Sequence, residues 1–318
     1  MPIQWFPGHM ARARRVLAEN LKLVDVVVEI IDARLPFSSR NPEIDRIIGN
    51  KRRVLVCNKA DLSDPKLNDY WRDYYKKQGI GVVFTDCRTG DGIKAVTAEI
   101  KNVMADKIQR CLEKGRKEPV IHAMVVGVPN VGKSSFINKV AGKAVAVTGD
   151  KPGVTRNKQW LKLNPDIYLL DTPGLLWPKI ENQRSAYKLA CSGAIKDDIL
   201  DVEDLASFLI YYLSLNYPNA INDRYKVDTE AVLDGVDRED RIMCGVEMLD
   251  ACGKKRGCLI KGGEIDYTRI SNIILDEFRA GKIGRISLDN AEVLLEGPDG
   301  SQIVKDISEE IDSLDIEE

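Results

Sequence analysis

Three stretches of this chain carry residue types whose spacing could do chemistry on a phosphorylated nucleotide. Gly127-Val-Pro-Asn-Val-Gly-Lys-Ser134 fits the pattern G-x-x-x-x-G-K-[ST]. Such a loop turns successive backbone N–H groups inward around phosphate oxygens, and a helix starting directly after it adds the partial positive charge of its N-terminus. Lys133 then serves the β- and γ-phosphates and the Ser134 hydroxyl serves Mg²⁺, with Asn130, Val131, Gly132 and Ser135 as the remaining candidate loop contacts. Asp171-Thr-Pro-Gly174 fits D-x-x-G: Asp171 can hold Mg²⁺ through water, and the Gly174 N–H can sense the γ-phosphate. Thr155, in Pro152-Gly-Val-Thr155, is the candidate switch threonine closing on the same ion, with Thr148 near enough to compete.

A phosphate loop does not name the base. Asn58-Lys-Ala-Asp61 fits N-K-x-D, in which the carboxylate of Asp61 accepts from both N1–H and the exocyclic amine of guanine. Adenine offers neither pairing at those positions, and a buried acceptor left unpaired costs about 1–3 kcal/mol. GTP and GDP are therefore expected over adenine nucleotides. Thr85-Asp-Cys-Arg88 follows at the next strand end, where the backbone N–H of Cys87 is the candidate donor to guanine O6.

These motifs need strand ends and helix starts to present them. Val24-Asp-Val-Val-Val-Glu-Ile-Ile31, Arg53-Val-Leu-Val-Cys57, Gly81-Val-Val-Phe84 and Ile121-His-Ala-Met-Val-Val126 read as buried strands, and Asn58 and Gly127 each begin where one stops. Between them, Ala11 to Leu23 reads as a basic amphipathic helix, Glu43 to Gly49 and Asp69 to Gln78 as further helices, and Ile93 to Glu113 as one long helix. Ser135 to Ala141 is the helix after the loop, and Gln159 to Leu163 with Ile167 to Leu170 are strands joined at Asn164-Pro-Asp166. Alternating strands and helices predict an α/β, doubly wound, mostly parallel sheet over residues 1–180. After Ser185 the strand signals stop. Helices over Val202 to Leu215, capped by Asp201 or a neighbour, over Arg238 to Ala251, ended by Gly253, and through the stripe Tyr267, Ile270, Ile273, Ile274 and Phe278 predict a small all-helical domain over 185–292. Residues 297–318 read as a disordered acidic tail.

The chain has 318 residues, 44% apolar and 30% charged, which suits two globular domains. Its net charge of −2 conceals an asymmetry: Asp306 to Glu318 holds seven acidic residues and no basic one, and setting them aside takes the charge from −2 to +5. Basic clusters at Arg12, Arg14 and Arg15, at Lys51 to Arg53, at Lys114 to Lys117 and at Lys254 to Arg256 are solvated surface taken singly, and together suggest a polyanionic partner. No apolar run is long enough for a membrane helix, and the N-terminus lacks a signal-peptide layout. Seven scattered cysteines suit reduced thiols in a cytoplasm, with Cys57, Cys111 and Cys191 as small buried hydrophobes. His122, inside an apolar strand, reads as a core or second-layer residue.

The base-reading motif precedes the phosphate loop, the reverse of the usual order in GTPases. That order, with Trp5-Phe-Pro-Gly-His-Met10, Asp32-Ala-Arg34 and Asp171-Thr-Pro-Gly-Leu-Leu-Trp-Pro178, resembles the circularly permuted YlqF/RbgA family of ribosome biogenesis GTPases over Pro2 to about Lys179. The resemblance implies a GTP-hydrolysing factor in late maturation of the large ribosomal subunit, with the helical domain helping to grip ribosomal RNA beside ribosomal proteins. Asp86-Cys87-Arg88 departs from the Ser-Ala-Lys of many GTPases, which bears on the contacts assigned there. Leu175 stands where many GTPases carry a water-orienting glutamine, so slow intrinsic hydrolysis and another catalytic group are expected. His9, in the shared N-terminal motif, is the candidate to orient or deprotonate the attacking water; stacking on Trp5 or contacting RNA are its alternatives. An asparagine at the place of Asn130 accompanies K⁺ in several related GTPases, so K⁺ joins Mg²⁺ as a candidate cofactor. The segment Asp171 to Trp177 runs almost directly into the helical domain, so loss of the γ-phosphate is expected to swing that domain on a short tether. A GTP-dependent RNA-modifying enzyme and a non-catalytic, GTP-regulated RNA-binding module are the competing readings. Oligomeric state has no sequence signal.

Overall fold

The computed structural model describes residues 9–142, 160–172, 182–195 and 201–291, with side chains from residue 14 onward. The chain divides into two units, Met1–Glu181 with Asp289–Glu318, and Asn182–Leu288.

The first unit is built on strands β1 (Val26–Asp32), β2 (Arg52–Asn58), β3 (Gly81–Thr85), β4 (Ile121–Val126), β5 (Trp160–Asn164) and β6 (Ile167–Asp171). They form one sheet in the order β3-β2-β1-β4-β6-β5, parallel except for the antiparallel β5. Every residue of β1 is buried, as its unbroken β-branched run requires of a central strand covered on both faces. Register decides what meets at the C-terminal edge: Asp32 of β1 lies beside Asn58 of β2, and Asp171 of β6 beside Val125 of β4, just before the phosphate loop. The β5–β6 turn is closed by the Asp166 N–H donating to Asn164 Oδ1 at 2.9 Å.

Helices α1 (His9–Leu21), α2 (Pro42–Ile48), α3 (Pro65–Lys77), α4 (Ile93–Val103), α5 (Ala105–Glu113) and α6 (Lys133–Ala141) accompany the sheet. In α1, Leu17 is buried while Arg14 and Arg15 are exposed. The single long helix expected from Ile93 to Glu113 is broken at Met104, which has φ −99° and ψ 6°. No glycine or proline marks that break. Met104 is itself buried at the joint, and α4 buries Val96 and Ile100 whereas α5 buries no residue, so packing sets the bend.

The second unit holds α7 (Gln183–Cys191), α8 (Val202–Asn216), α9 (Pro218–Tyr225), α10 (Thr229–Val232), α11 (Arg241–Arg256) and α12 (Tyr267–Arg279). Asp201 caps α8, its Oδ1 accepting from Glu203 N at 2.8 Å. Gly253, read from sequence as a terminator, lies inside α11 instead, and Gly257 at φ +63° closes that helix. A Cβ at Gly253 would stand 3.0 Å from Ile265 Cγ2, so the glycine permits a close approach within the unit. Ile270, Ile274 and Phe278 of α12 are buried, as their spacing predicts.

Asp289, the first residue returning to the first unit, is fully buried there. Its Oδ2 accepts the N–H groups of Phe37 and Ser38 at 2.9 and 2.6 Å, its Oδ1 accepts the Ser38 hydroxyl at 2.7 Å, and its carbonyl accepts Trp71 Nε1 at 3.0 Å. Nothing in the sequence pointed to this anchor. Two smaller expectations are also corrected. His122 is not core: its side chain is 43% exposed, edge-on to Trp160 at 5.0 Å and stacked on Tyr168 at 6.1 Å. Cys111 is partly exposed, while the other six cysteines are buried and all seven are free thiols.

Candidate functional site

The C-terminal edge of β1, β2, β4 and β6 gathers most of the described candidate residues, as open parallel sheets do where the strand order turns. The phosphate loop leaves β4 at Gly127 and enters α6 at Lys133. Within it Asn130 adopts φ +59° and Gly132 φ +91°, backbone angles that curl successive amides toward one side. Gly132 has a second reason to lack a side chain: a Cβ there would lie 2.1 Å from Asn58 Nδ2.

Asn58 joins the base-reading and phosphate-reading parts. Its Nδ2 donates to the Val131 carbonyl at 2.9 Å, and its Oδ1 accepts the Cys87 N–H at 3.1 Å and the Thr85 hydroxyl at 3.5 Å. The Cys87 amide, assigned from sequence to guanine O6, is thus engaged inside the protein. Burial pushes the Cys87 thiol up to about 11, so it stays neutral and no nucleophile. Lys59, at φ +63°, donates to the Asn130 carbonyl at 2.9 Å and to Asp32 Oδ2 at 2.9 Å. Asp61 accepts Arg88 Nη2 at 2.7 Å, a partner the departure at Asp86-Cys87-Arg88 supplies.

On the phosphate side the Lys133 side chain is nearly buried, 11% exposed. It donates to the Thr172 carbonyl and stands 3.7 Å from Asp171 Oδ1, while the Thr172 hydroxyl donates to the Val125 carbonyl at 2.6 Å. Burial depresses the Lys133 ammonium below the ordinary lysine range, with Asp171 opposing the shift. Ser134 and Ser135 open α6 beside it. Hard oxygen donors at the start of α6, Ser134, and at the end of β6, Asp171, suit Mg²⁺. Among the described residues no group of three or more His, Cys, Asp or Glu side chains could form an all-protein metal cage. Thr155, Gly174, Leu175 and the side chain of His9 lie outside the described residues, as do Trp5 and the acidic tail.

Sequence reasoning missed two features here. Asp32 and Arg34 were legible only as a family motif. They form a buried pair, Arg34 Nε and Nη2 on the two Asp32 oxygens at 2.9 and 2.7 Å. Burial alone would raise the Asp32 carboxyl, but Arg34 and Lys59 hold it far below the ordinary carboxylate range. The second is the Arg88 contact to Asp61. Adjacency of Arg88 to the base-reading strand end was visible, its partner was not.

Comparison with known proteins agrees with this geometry. A family model described as "50S ribosome-binding GTPase" matches residues 122–241. The chain is 47% identical over 291 residues to ribosome biogenesis GTPase A of Priestia megaterium, covering 91% of this chain and 97% of that one. It is 33% identical to mitochondrial ribosome-associated GTPase 1 of Mus musculus, covering 90% of each. Among solved structures, GDP-bound TM YlqF aligns with TM-score 0.59 at 27% identity, over 87% of this chain and all of that one. The GNP-bound YlqF from T. maritima aligns with TM-score 0.58 at 26% identity, over 91% and 99%. With N-K-x-D ahead of the phosphate loop and both meeting at one sheet edge, the chain belongs to the circularly permuted YlqF/RbgA family, the ribosome biogenesis GTPases A.

Proposed function

We propose that this GTPase times a late step in maturation of the large ribosomal subunit, binding ribosomal RNA in its GTP form and leaving on hydrolysis to GDP. The observation that carries the reading is that Asn58 and Lys59 both end on carbonyls of the phosphate loop, at Val131 and Asn130, so one frame reads guanine and phosphate together. The relatives named as ribosome biogenesis and mitochondrial ribosome-associated GTPases, and the family description naming the 50S particle, support the partner.

Within that frame Asp61 would read guanine N1 and the exocyclic amine once Arg88 yields, and Lys133 would turn from Thr172 and Asp171 to the β- and γ-phosphates. The Cys87 amide would reach O6 only by leaving Asn58 Oδ1. Ser134, Asp171 and Thr155 would hold Mg²⁺, which would neutralise phosphate charge. Gly174 senses the γ-phosphate, and His9 orients the attacking water in place of the glutamine replaced by Leu175. Asn130, held at φ +59°, is the place where K⁺ would add to the phosphate charge. The helical unit, residues 182–288, contributes rRNA grip through phosphate contacts of Lys254 and Lys255 at the end of α11, where Arg256 is held by Glu277. No described helix is long and apolar enough to cross a membrane, and a cytoplasmic location follows from the ribosomal partner.

The test is GTP turnover with and without purified large subunits, beside small subunits and free tRNA. Stimulation by large subunits alone is expected. Equal stimulation by all three, or by none, would overturn the assignment of the partner.

A further inference from the structure

Asp32-Ala-Arg34 belongs to none of the roles above, yet it lies against the nucleotide edge. Parallel register sets Asp32 beside Asn58, one residue before Lys59. Asp32 and Arg34 are each 1% exposed, and Arg34 is among the largest side chains fully removed from solvent. The guanidinium spans both Asp32 oxygens, at 2.9 and 2.7 Å, and the Arg34 N–H adds a third bond to Oδ1 at 3.1 Å. A fork of this kind fixes the carboxylate plane and leaves Oδ2 to accept the Lys59 ammonium at 2.9 Å. The same ammonium donates to the Asn130 carbonyl at 2.9 Å. Lys59 makes both bonds from a backbone at φ +63°, a region costly for a residue with a side chain. The loop bearing the pair is itself pinned, Asp32 N–H donating to Ser39 Oγ at 3.1 Å and Ser38 to Asp289.

We propose that Asp32, oriented by Arg34, is a positioning residue for nucleotide retention. It holds the Lys59 ammonium on the Asn130 carbonyl, so that the base-reading strand end and the phosphate loop keep one geometry. A lysine side chain left to itself would sample many rotamers, and the phosphate loop would lose a fixed strut at Asn130. The consequence is slow release of GDP and GTP alike, because the strut ties the base-reading strand end to the Asn130 carbonyl, a part of the loop that both nucleotides would share. This inference rests on the nucleotide-site reading above.

Removing Asp32 alone would strand a buried arginine, so the test uses the neutral pair Asp32→Asn with Arg34→Gln, which removes both charges together and leaves a polar side chain at each position. It is compared with Lys59→Met and with all three substitutions together in the full chain. Dissociation of fluorescent GDP and of a non-hydrolysable GTP analogue is measured by stopped flow, with thermal melting of the nucleotide-free proteins alongside. The neutral pair is expected to speed release of both nucleotides about ten-fold, as loss of a charge-assisted hydrogen bond does. The triple variant should be no faster than Lys59→Met, since coupled residues do not add. A merely structural role would lower the melting temperature and leave the two effects on release multiplying, and that result overturns the proposal. Accelerated release by Lys59→Met with none from the neutral pair also overturns it, while leaving the nucleotide-site reading intact. Unchanged guanine nucleotide binding in Lys59→Met would overturn that reading and this inference together.

Discussion

The base-reading corner and the phosphate corner of this site are built differently. Around Asn58, Lys59 and Asp61 each side chain is already bonded within the protein, to Val131, Cys87, Asn130, Asp32 or the exposed Arg88. Around Lys133 a buried ammonium leans on the Thr172 carbonyl and faces Asp171, with its pKa depressed by burial. The first corner is bonded up within the protein, and on the proposed function it serves GDP and GTP alike. The second is a displaced cation that gains most when an anion arrives, because a charge in a low-dielectric setting interacts strongly with a new partner. The contrast places affinity for the guanosine moiety on one side and the response to phosphate on the other.

Three substitutions probe that division. The largest effect is expected from Lys133→Ala. Removing a preorganised cation from the developing charge should lower phosphate release by about 10²–10³-fold, read as turnover at saturating GTP. A comparable loss from any base-side variant at saturating GTP would abolish the distinction. Asp61→Asn should act on recognition instead, weakening GDP and GTP equally by about 10–100-fold, because one acceptor facing N1–H and the amine becomes a donor. Xanthosine nucleotides, which carry a carbonyl where guanine has its amine, should recover part of that loss in a competition assay. Unequal losses of GDP and GTP would show that the base corner also senses the γ-phosphate. The smallest effect is expected from Arg88→Ala. Its side chain is 76% exposed, and solvent screens its pair with Asp61. Guanine nucleotide association should rise by about two- to three-fold, more at low salt, as Asp61 is released; a fall would mean that Arg88 orients the carboxylate for the base.

Much of this site was readable because its motifs are local. Gly127 to Ser134 and Asn58 to Asp61 are contiguous, and their backbone requirements appear as glycine positions and strand ends. The bonds between them were not readable. That Asn58 donates to Val131 depends on β2 and β4 flanking β1 in the sheet, which no local pattern encodes. The same holds for Glu29, a carboxylate inside the apolar run of β1. It is fully buried 3.3 Å from Arg53 and 3.6 Å from Arg40, partners that chain separation hid.

The helical unit repeats the lesson. Stripes such as Ile270, Ile274 and Phe278 announced α12, whereas the close approach of Ile265 that Gly253 permits inside α11 was visible only in the fold. Short α9 and α10 carried too few residues for a periodic signal.

By itself, the sequence determined the nucleotide chemistry, the permuted order, the alternation of strands and helices, and the change to all-helical structure after Ser185. Each of these is written in composition or in spacing along a single stretch. Tertiary structure alone decided which strand ends face one another, the break at Met104, the Asp32–Arg34–Lys59 chain of charges and the return of Asp289 to Phe37, Ser38 and Trp71. Those are pairings between residues distant in the chain. They form because buried polar groups must find partners wherever folding brings them, and only the completed packing specifies where that is.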